Sequence, residues 1–153
     1  MTKVSNLGNK DYEQDTLWFF VKRKNKVVAI GGLRPIKIKY LRKNYDIRGI
    51  CSIISLEKKK DYGKIIIKAI IKYLEKKGKT GIGFCGKEIT KFYKKSGLKI
   101  KKDFINRFIY KNPKTGKETI DKEGDGIYYE GKDKFISKVL KTKSPIFICV
   151  EHW

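Results

Sequence analysis

The chain has 153 residues, of which 40% are hydrophobic and 12% aromatic, so it can bury one sizeable core and is expected to form a single domain over residues 1–153. No apolar stretch is long enough to cross a bilayer, and residues 1–16 lack the apolar segment of a signal peptide. The three cysteines have no metal-ligand spacing. These features predict a cytoplasmic protein with reduced cysteines, no metal site and no membrane partner.

The formal net charge is +22 at pH 7, and nearly all of it comes from lysine. Such a field favours any polyanion, whether coenzyme A, nucleic acid or an anionic surface, but it does not choose among them. A composition biased towards lysine explains the charge equally well. Both interpretations of this basic protein therefore stay open.

The first part of the chain predicts strands. Residues 1–16 are polar and predict a loose arm or one short helix, and residues 17–22 and 27–33 predict two strands joined in a hairpin by the basic turn 23–26. Residues 46–55 are largely apolar, as expected of a buried central strand.

A helix is predicted over residues 61–77, where lysines recur once per turn and isoleucines line another face. Asp61 is its predicted N-cap, and Gly78 is predicted to end it. The remaining predicted elements are a strand at 80–86, a helix at 88–96, a strand at 104–110, a polar loop at 111–126 and a C-terminal hairpin of strands at 127–129 and 146–150. This order predicts a mixed α/β (α+β) domain.

Residues 53–74, IISLEKKKDYGKIIIKAIIKYL, resemble the cofactor motif of the GNAT acyltransferase superfamily. In that motif an apolar strand leads into an Arg/Gln-x-x-Gly-x-Gly/Ala turn and an amphipathic helix. Alignment on the helix puts Lys58 at the first position, Asp61 at the first glycine and Gly63 at the second. A shift of two residues, with Lys60 first and Gly63 at the first glycine, remains an alternative.

A second segment, residues 80–100 (TGIGFCGKEITKFYKKSGLKI), resembles the strand and helix that follow in the same superfamily, with its FY-x-x-x-G-L/F run at residues 92–98. Residues 123–129 and 149–153 resemble the C-terminal region of aminoglycoside 2′-N-acetyltransferases. The resemblance implies a GNAT-like, mostly antiparallel central sheet flanked by helices. It also implies a shortened N-terminal part, since the superfamily usually has a strand and two helices before the hairpin placed here at 17–33.

The resemblance further implies an acetyl-CoA-dependent N-acetyltransferase that acts on an amine of a small molecule, peptide or protein. A helix N-terminus offers unpaired amides and a positive dipole end to a pyrophosphate. Free backbone groups of the preceding strand would hold the pantetheine and the acetyl carbonyl. The residues expected to bind acetyl-CoA are Ile53, Ile54, Ser55, Lys58, Lys59, Lys60, Asp61, Tyr62, Gly63 and Lys64.

Tyr93 stands where the superfamily commonly has the tyrosine that protonates the departing thiolate, although a core aromatic would occupy the same position. The candidates for the general base are Asp46, Glu57 and Asp125, each acting directly or through water. Alternatively, the amine could arrive neutral, with no protein base. His152, the one histidine, is a further possibility. The residues assigned to acceptor binding are Trp18, Arg34 and Trp153.

Two other functions remain open. Aromatic residues among lysines, such as Trp18, Phe19 and Phe20, are typical of a nucleic-acid-binding or nucleic-acid-modifying protein. A non-catalytic relative that keeps the coenzyme cleft would have the same motifs. A homodimer partner could supply the wall of the acceptor site that the short N-terminal part omits.

Overall fold

The computed structural model describes residues 2–6, 15–57, 61–150 and 153. Within them the chain forms ten β-strands and three α-helices. Their bounds in chain order are β1 Thr2–Asn6, β2 Leu17–Arg23, β3 Lys26–Tyr40, β4 Lys43–Ser55, α1 Tyr62–Lys77, β5 Gly81–Cys85, α2 Thr90–Lys95, β6 Lys99–Lys101, β7 Phe108–Lys111, β8 Glu118–Thr119, β9 Asp125–Tyr129, α3 Phe135–Leu140 and β10 Ile146–Ile148.

The ten strands form one curled sheet, in which the main path runs β6-β9-β5-β4-β3-β10-β7-β8. β2 and β10 share one edge of the long strand β3, because β2 pairs with residues 26–33 and β10 with Ile38 and Lys39. β4 with β5 and β7 with β10 are parallel, and the other described pairs are antiparallel. The predicted mixed, mostly antiparallel sheet flanked by helices is confirmed.

Helices cover the sheet on both sides, and we call the two sides the α1 face and the α3 face. On the α1 face, Ile66, Ile70 and Leu74 are fully buried against β2, β3 and β4, while Lys68 and Lys72 point to solvent. Burial of each such side chain contributes about 1.5–3 kcal/mol, which explains why the 3.6-residue period predicted this helix correctly. On the α3 face, Phe135 packs edge-on against Tyr40.

The start of α1 differs from the expectation. Asp61 does occupy the N-cap position, but its side chain makes no capping hydrogen bond, and its backbone is left-handed with φ 54° and ψ 23°. Gly78 ends the helix as predicted, with φ 65° and its N–H donating to the carbonyl of Glu75.

The N-terminal predictions are partly wrong. Thr2–Asn6 is a strand paired with β2, neither a loose arm nor a helix. The strands predicted at 27–33 and 46–55 are longer, because β3 continues through Pro35 to Tyr40 and β4 begins at Lys43. Pro35 is tolerated because it lies between the part of β3 that pairs with β2 and the part that pairs with β10, at a point where neither strand needs its N–H.

The C-terminal predictions also need correction. The helix predicted at 88–96 is a 3₁₀ turn over Lys87–Ile89 followed by α2, and the strand predicted at 104–110 begins with a 3₁₀ turn over Phe104–Arg107. The predicted terminal hairpin is wrong: β9 lies between β5 and β6, whereas β10 lies between β3 and β7. Helix α3 separates the two strands along the chain.

Among the described residues, no helix is long and apolar enough to span a membrane.

Candidate active site at the opening between β4 and β5

The two parallel strands β4 and β5 separate soon after they meet. They pair only at Arg48 with Gly81 and at Gly49 with Ile82, while β4 continues to Ser55 and β5 to Cys85. We call the gap beyond Gly49 and Ile82 the β4–β5 opening. Strand backbone that faces such a gap keeps N–H and C=O groups available for a ligand.

A β-bulge in β4 accompanies the opening. Ile30 pairs with Ile54 and Gly32 with Cys51, so that Ser52 and Ile53 together oppose Gly31. Ser52 has a left-handed backbone with φ 54°. A bulge bends its strand and increases the local twist, and this one lies in β4 just beyond the last position that pairs with β5.

Gly83 lets the two strands approach each other at the base of the opening. A Cβ atom built on Gly83 would lie 2.8 Å from the carbonyl oxygen of Ile50. Backbone atoms cannot move aside as a flexible side chain can. Any side chain at this position would therefore push β4 and β5 apart or fill the gap between them.

The N-terminus of α1 follows directly after β4 in the chain. Gly63 lies in its first turn, where a Cβ atom would come 2.9 Å from Cζ of Phe92. Gly63 from the first motif and Phe92 from the second motif are thus brought into contact. Asp61 adopts the left-handed conformation that glycine takes at no steric cost, which agrees with the alignment that places it at the first glycine. Lys58, Lys59 and Lys60 lie outside the described residues.

The other predicted acetyl-CoA residues have mixed environments. Tyr62 is buried in the core, and its hydroxyl accepts a hydrogen bond from Arg23 at 3.4 Å, so its side chain is directed away from a surface ligand. Lys64 is partly exposed. On β4, Ile53 packs against the core and Ile54 is 54% exposed, while the Ser55 hydroxyl donates to the carbonyl of Glu57.

Tyr93 is buried on the α1 face beside Cys85, the last residue of β5. Burial raises the pKa of the Tyr93 phenol, and the neighbouring Cys85 raises it further. Burial, Asp125 and Glu88 together raise the pKa of the Cys85 thiol to about 11. Both groups therefore stay protonated at neutral pH.

Asp125 lies opposite Cys85 in the pairing of β5 with β9, next to the end of β5. Its carboxylate is buried and accepts a hydrogen bond of 2.9 Å from the backbone N–H of Asp103. The ammonium of Lys87 lies 4.0 Å away. The structure thus brings Asp125 close to the side of the opening that carries Tyr93.

Asp46 and Glu57 lie elsewhere. Asp46 precedes the paired positions of β4, on the side away from the opening, and forms ion pairs with Arg48 at 2.6 Å and Lys79 at 3.2 Å. Partial burial alone would raise its pKa, but the hydrogen bonds and charges of these two cations lower it overall. Its position and its lowered basicity both argue against Asp46 as the base. Glu57 is exposed just beyond the end of β4, and His152 lies outside the described residues.

All three residues predicted to bind the acceptor lie on the α3 face. Arg34 is buried on β3 directly opposite Gly49, and the Trp153 ring covers Gly49, where a Cβ atom would come within 2.5 Å of its Cδ1. The Trp153 indole also donates a hydrogen bond of 2.8 Å to the carbonyl of Ile82. Trp18 lies on β2, the strand on the other side of β3 from β4, and packs against Gly32 of β3.

Three features of this site could not be predicted from the sequence. Gly49 and Gly83 were not singled out, because a glycine in an apolar strand does not reveal what approaches it. Thr16 is 1% exposed beside Gly32, and its hydroxyl has no hydrogen-bond partner among the described residues. A single threonine in a polar segment carries no signal that would have identified it.

The same fold occurs in solved structures that include acetyltransferases. A GNAT-family acetyltransferase from Elizabethkingia anophelis with acetyl-CoA bound is 16% identical, with a TM-score of 0.56 over 85% of this chain and 97% of the other. An N-acetyltransferase from Staphylococcus aureus Mu50 is 13% identical, with a TM-score of 0.54 over 85% and 97%. Escherichia coli ElaA is 12% identical, with a TM-score of 0.53 over 79% and 74%.

The chain therefore has the fold of the GNAT N-acetyltransferases, as the two sequence motifs implied. No family model and no curated protein matches its sequence. The resemblance of residues 123–129 and 149–153 to aminoglycoside 2′-N-acetyltransferases stays a prediction.

Proposed function

We propose that this protein is an acetyl-CoA-dependent N-acetyltransferase that transfers the acetyl group directly to an amine. The observation that carries the proposal is the separation of β4 from β5 after two paired positions, with the N-terminus of α1 following β4 in the chain. A strand edge with free backbone groups suits an extended pantetheine, and a helix N-terminus suits its pyrophosphate. A protein of the same fold was solved with acetyl-CoA bound, which supports this choice of ligand.

The residues at the start of α1 fit a pyrophosphate, with one exception. Gly63 has no side chain that would cover the first turn, and Lys64 adds positive charge there. The exception is the carboxylate of Asp61, which repels phosphate. The proposed contacts are therefore the backbone of residues 61–64 and the Lys64 ammonium, with Ile53–Ser55 along the edge of β4 and the lysines of 58–60 in addition.

Acetyl-CoA supplies the thioester: a C–N bond forms to the amine as the C–S bond breaks, and the electron pair of that bond leaves on sulfur. We assign Tyr93 as the group that hydrogen-bonds to this sulfur and returns a proton to it. Its raised pKa keeps the phenol protonated at neutral pH, as a donor must be. A backbone N–H of β4 directed at the acetyl carbonyl would stabilise the developing oxyanion.

The amine must lose a proton to attack. Asp46 is not retained as the base, because it is ion-paired and lies on the wrong side of the paired positions. Asp125 is retained, acting through water, since it lies beside the end of β5. An amine that arrives neutral needs no protein base before it attacks; its nitrogen releases one proton as the amide forms, and this proton balances the one that Tyr93 returns to sulfur.

The acceptor would approach from the α3 face, where Trp18, Arg34 and Trp153 line up across β2, β3 and β4. The buried Thr16 hydroxyl offers a further hydrogen bond there. Trp153 touches both residues of the last β4–β5 pair, so an amine that reaches the opening from this face must pass it. The acceptor is proposed to be an amine of a small molecule, peptide or protein.

Calorimetric titration with acetyl-CoA tests the proposal, with Gly63→Asp and Gly63→Asn as matched variants. Both side chains meet the Phe92 ring, but only Asp adds a negative charge at the phosphate end. We expect binding by the parent, weaker binding by the Asn variant and no measurable binding by the Asp variant. Equal affinities in all three proteins, or no binding by the parent, would contradict the proposal.

A further inference from the structure

A second surface lies on the α1 face, beyond the part that α1 covers. There the C-terminal half of β3 exposes Lys37 and Lys39 to solvent, and Phe147 of β10 pairs directly with Lys39. Two adjoining grooves of about 230 and 490 Å³ meet at Lys39 and Phe147. We call this surface the β3–β10 patch.

The patch is strongly basic on a local scale. The described residues that line its two grooves include four cations, Lys37, Lys39, Arg42 and Lys111, and no carboxylate. Two carboxylates lie at its margin: Asp46 lies across from Lys37 but is already ion-paired with Arg48 and Lys79, and Glu118 lies across from Lys111. The cations extend along β3 from Lys37 to the turn that holds Arg42, and the extended part of this stretch, Lys37 to Tyr40, is roughly 10 Å long.

An aromatic ring lies in the middle of these charges. Phe147 is half-buried and lines both grooves, with Lys39 beside it on β3. The positive charge of the groove by itself indicates only that its ligand is anionic. A ring between the basic side chains adds a surface on which a flat base can stack, and bases of any sequence can use it.

We propose that the β3–β10 patch binds single-stranded nucleic acid, with Lys37, Lys39, Arg42 and Lys111 on phosphates and Phe147 against a base. The residues of this patch are not the aromatic residues, Trp18, Phe19 and Phe20, that the sequence suggested for nucleic-acid binding. Phe19 and Phe20 are 1% and 7% exposed and belong to the core, so they form no platform at the surface. This inference is independent of acetyl transfer.

Fluorescence anisotropy with a labelled oligo-dT of twelve nucleotides tests the proposal. Four phosphate contacts to a single strand predict a slope of log K against log salt of about −2.8, which is roughly a 50-fold loss of affinity between 50 and 200 mM salt. The double variant Lys39→Gln/Lys111→Gln should reduce the slope to about −1.4. Phe147→Leu should weaken binding on the order of tenfold with the slope unchanged.

The matched control is Lys68→Gln/Lys72→Gln, which removes the same charge from the exposed side of α1. It should leave the slope within experimental error of the parent value. An equal loss of slope in both double variants would assign the binding to the general lysine charge and overturn the proposal. Tighter binding to a duplex of the same length, or no binding at 50 mM salt, would overturn it as well.

Discussion

Trp153 donates a hydrogen bond of 2.8 Å from its indole Nε1 to the backbone carbonyl of Ile82, the last residue of β5 that pairs with β4. The same ring covers Gly49, the other half of that last pair. One side chain on the α3 face is therefore fixed at the point where the β4–β5 opening begins. Its position links the acceptor side of the proposed site to the strand geometry that forms the opening.

Removal of this hydrogen bond should have a measurable effect on stability. Trp153→Phe keeps an aromatic ring but leaves the Ile82 carbonyl without the indole donor, which should lower the free energy of unfolding by about 1 kcal/mol. For a domain of this size that corresponds to about 2–4 °C in Tm. Trp153→Ala also removes the packing with Phe84 and Phe108 and should be clearly more destabilising. Equal Tm values for the parent and Trp153→Phe in thermal unfolding would show that the hydrogen bond contributes nothing beyond the ring.

Asp61 offers a gain of function. Asp61→Gly removes a side chain from a left-handed position and a negative charge from the proposed phosphate site. We expect a Tm a few degrees higher and an acetyl-CoA affinity several-fold higher, the latter measured by calorimetry. Asp61→Asn, the control, should show most of the gain in affinity and little of the gain in stability. If neither variant binds more tightly, the phosphates do not lie near residue 61.

Much of the fold could be predicted because its signals are local. The hairpin of β2 and β3, the apolar run of β4 and the lysine period of α1 each follow from neighbouring residues. β1 could not be predicted, since Thr2–Asn6 is polar and becomes a strand only through pairing with β2. The extension of β3 beyond residue 33 was not predicted, because a proline normally interrupts a strand. Whether a strand can contain Pro35 depends on which strands pair with it at that point.

The candidate site was predictable only in part. The two motifs identified Gly63 and Tyr93, and the structure brings their helices together through the contact of Gly63 with Phe92. The roles of Gly49 and Gly83 depend on what lies across the sheet, which no local pattern reports. Asp46 was a candidate because of its place near a strand, but its ion pairs with Arg48 and Lys79 appear only in three dimensions.

Tyr93→Phe separates catalysis from packing. If the phenol protonates the thiolate, kcat should fall by about 100-fold or more with the best amine found in a screen. The acetyl-CoA affinity should stay within about twofold of the parent, because the ring still fills its place in the core. An unchanged kcat together with a lower Tm would assign Tyr93 to packing alone.

Cys85 predicts a specific pH dependence of stability. Its thiol has a pKa of about 11 in the fold against 9.0 for an ordinary thiol, so the folded state holds its proton more tightly than the unfolded chain does. The resulting stabilisation is fully present well below pH 9 and is lost as the pH rises through 9 towards 11, by about 3 kcal/mol in total. Urea unfolding of the parent and of Cys85→Ala at pH 7, 9 and 10.5 measures it. The parent should lose more stability than the variant over this range, and parallel curves would refute the assignment.

The acetyl-CoA affinity of Gly83→Ala, measured beside that of Gly81→Ala, tests the central claim most directly. Both changes crowd β5, but a Cβ atom at Gly81 meets the flexible Leu74 side chain at a paired position, whereas one at Gly83 meets the Ile50 carbonyl at the base of the opening. If acetyl-CoA binds in the β4–β5 opening, Gly83→Ala should weaken binding by at least about tenfold, while Gly81→Ala, once shown to be folded, should bind within about twofold of the parent. Equal affinities for the parent and both variants would place the ligand elsewhere and contradict the account.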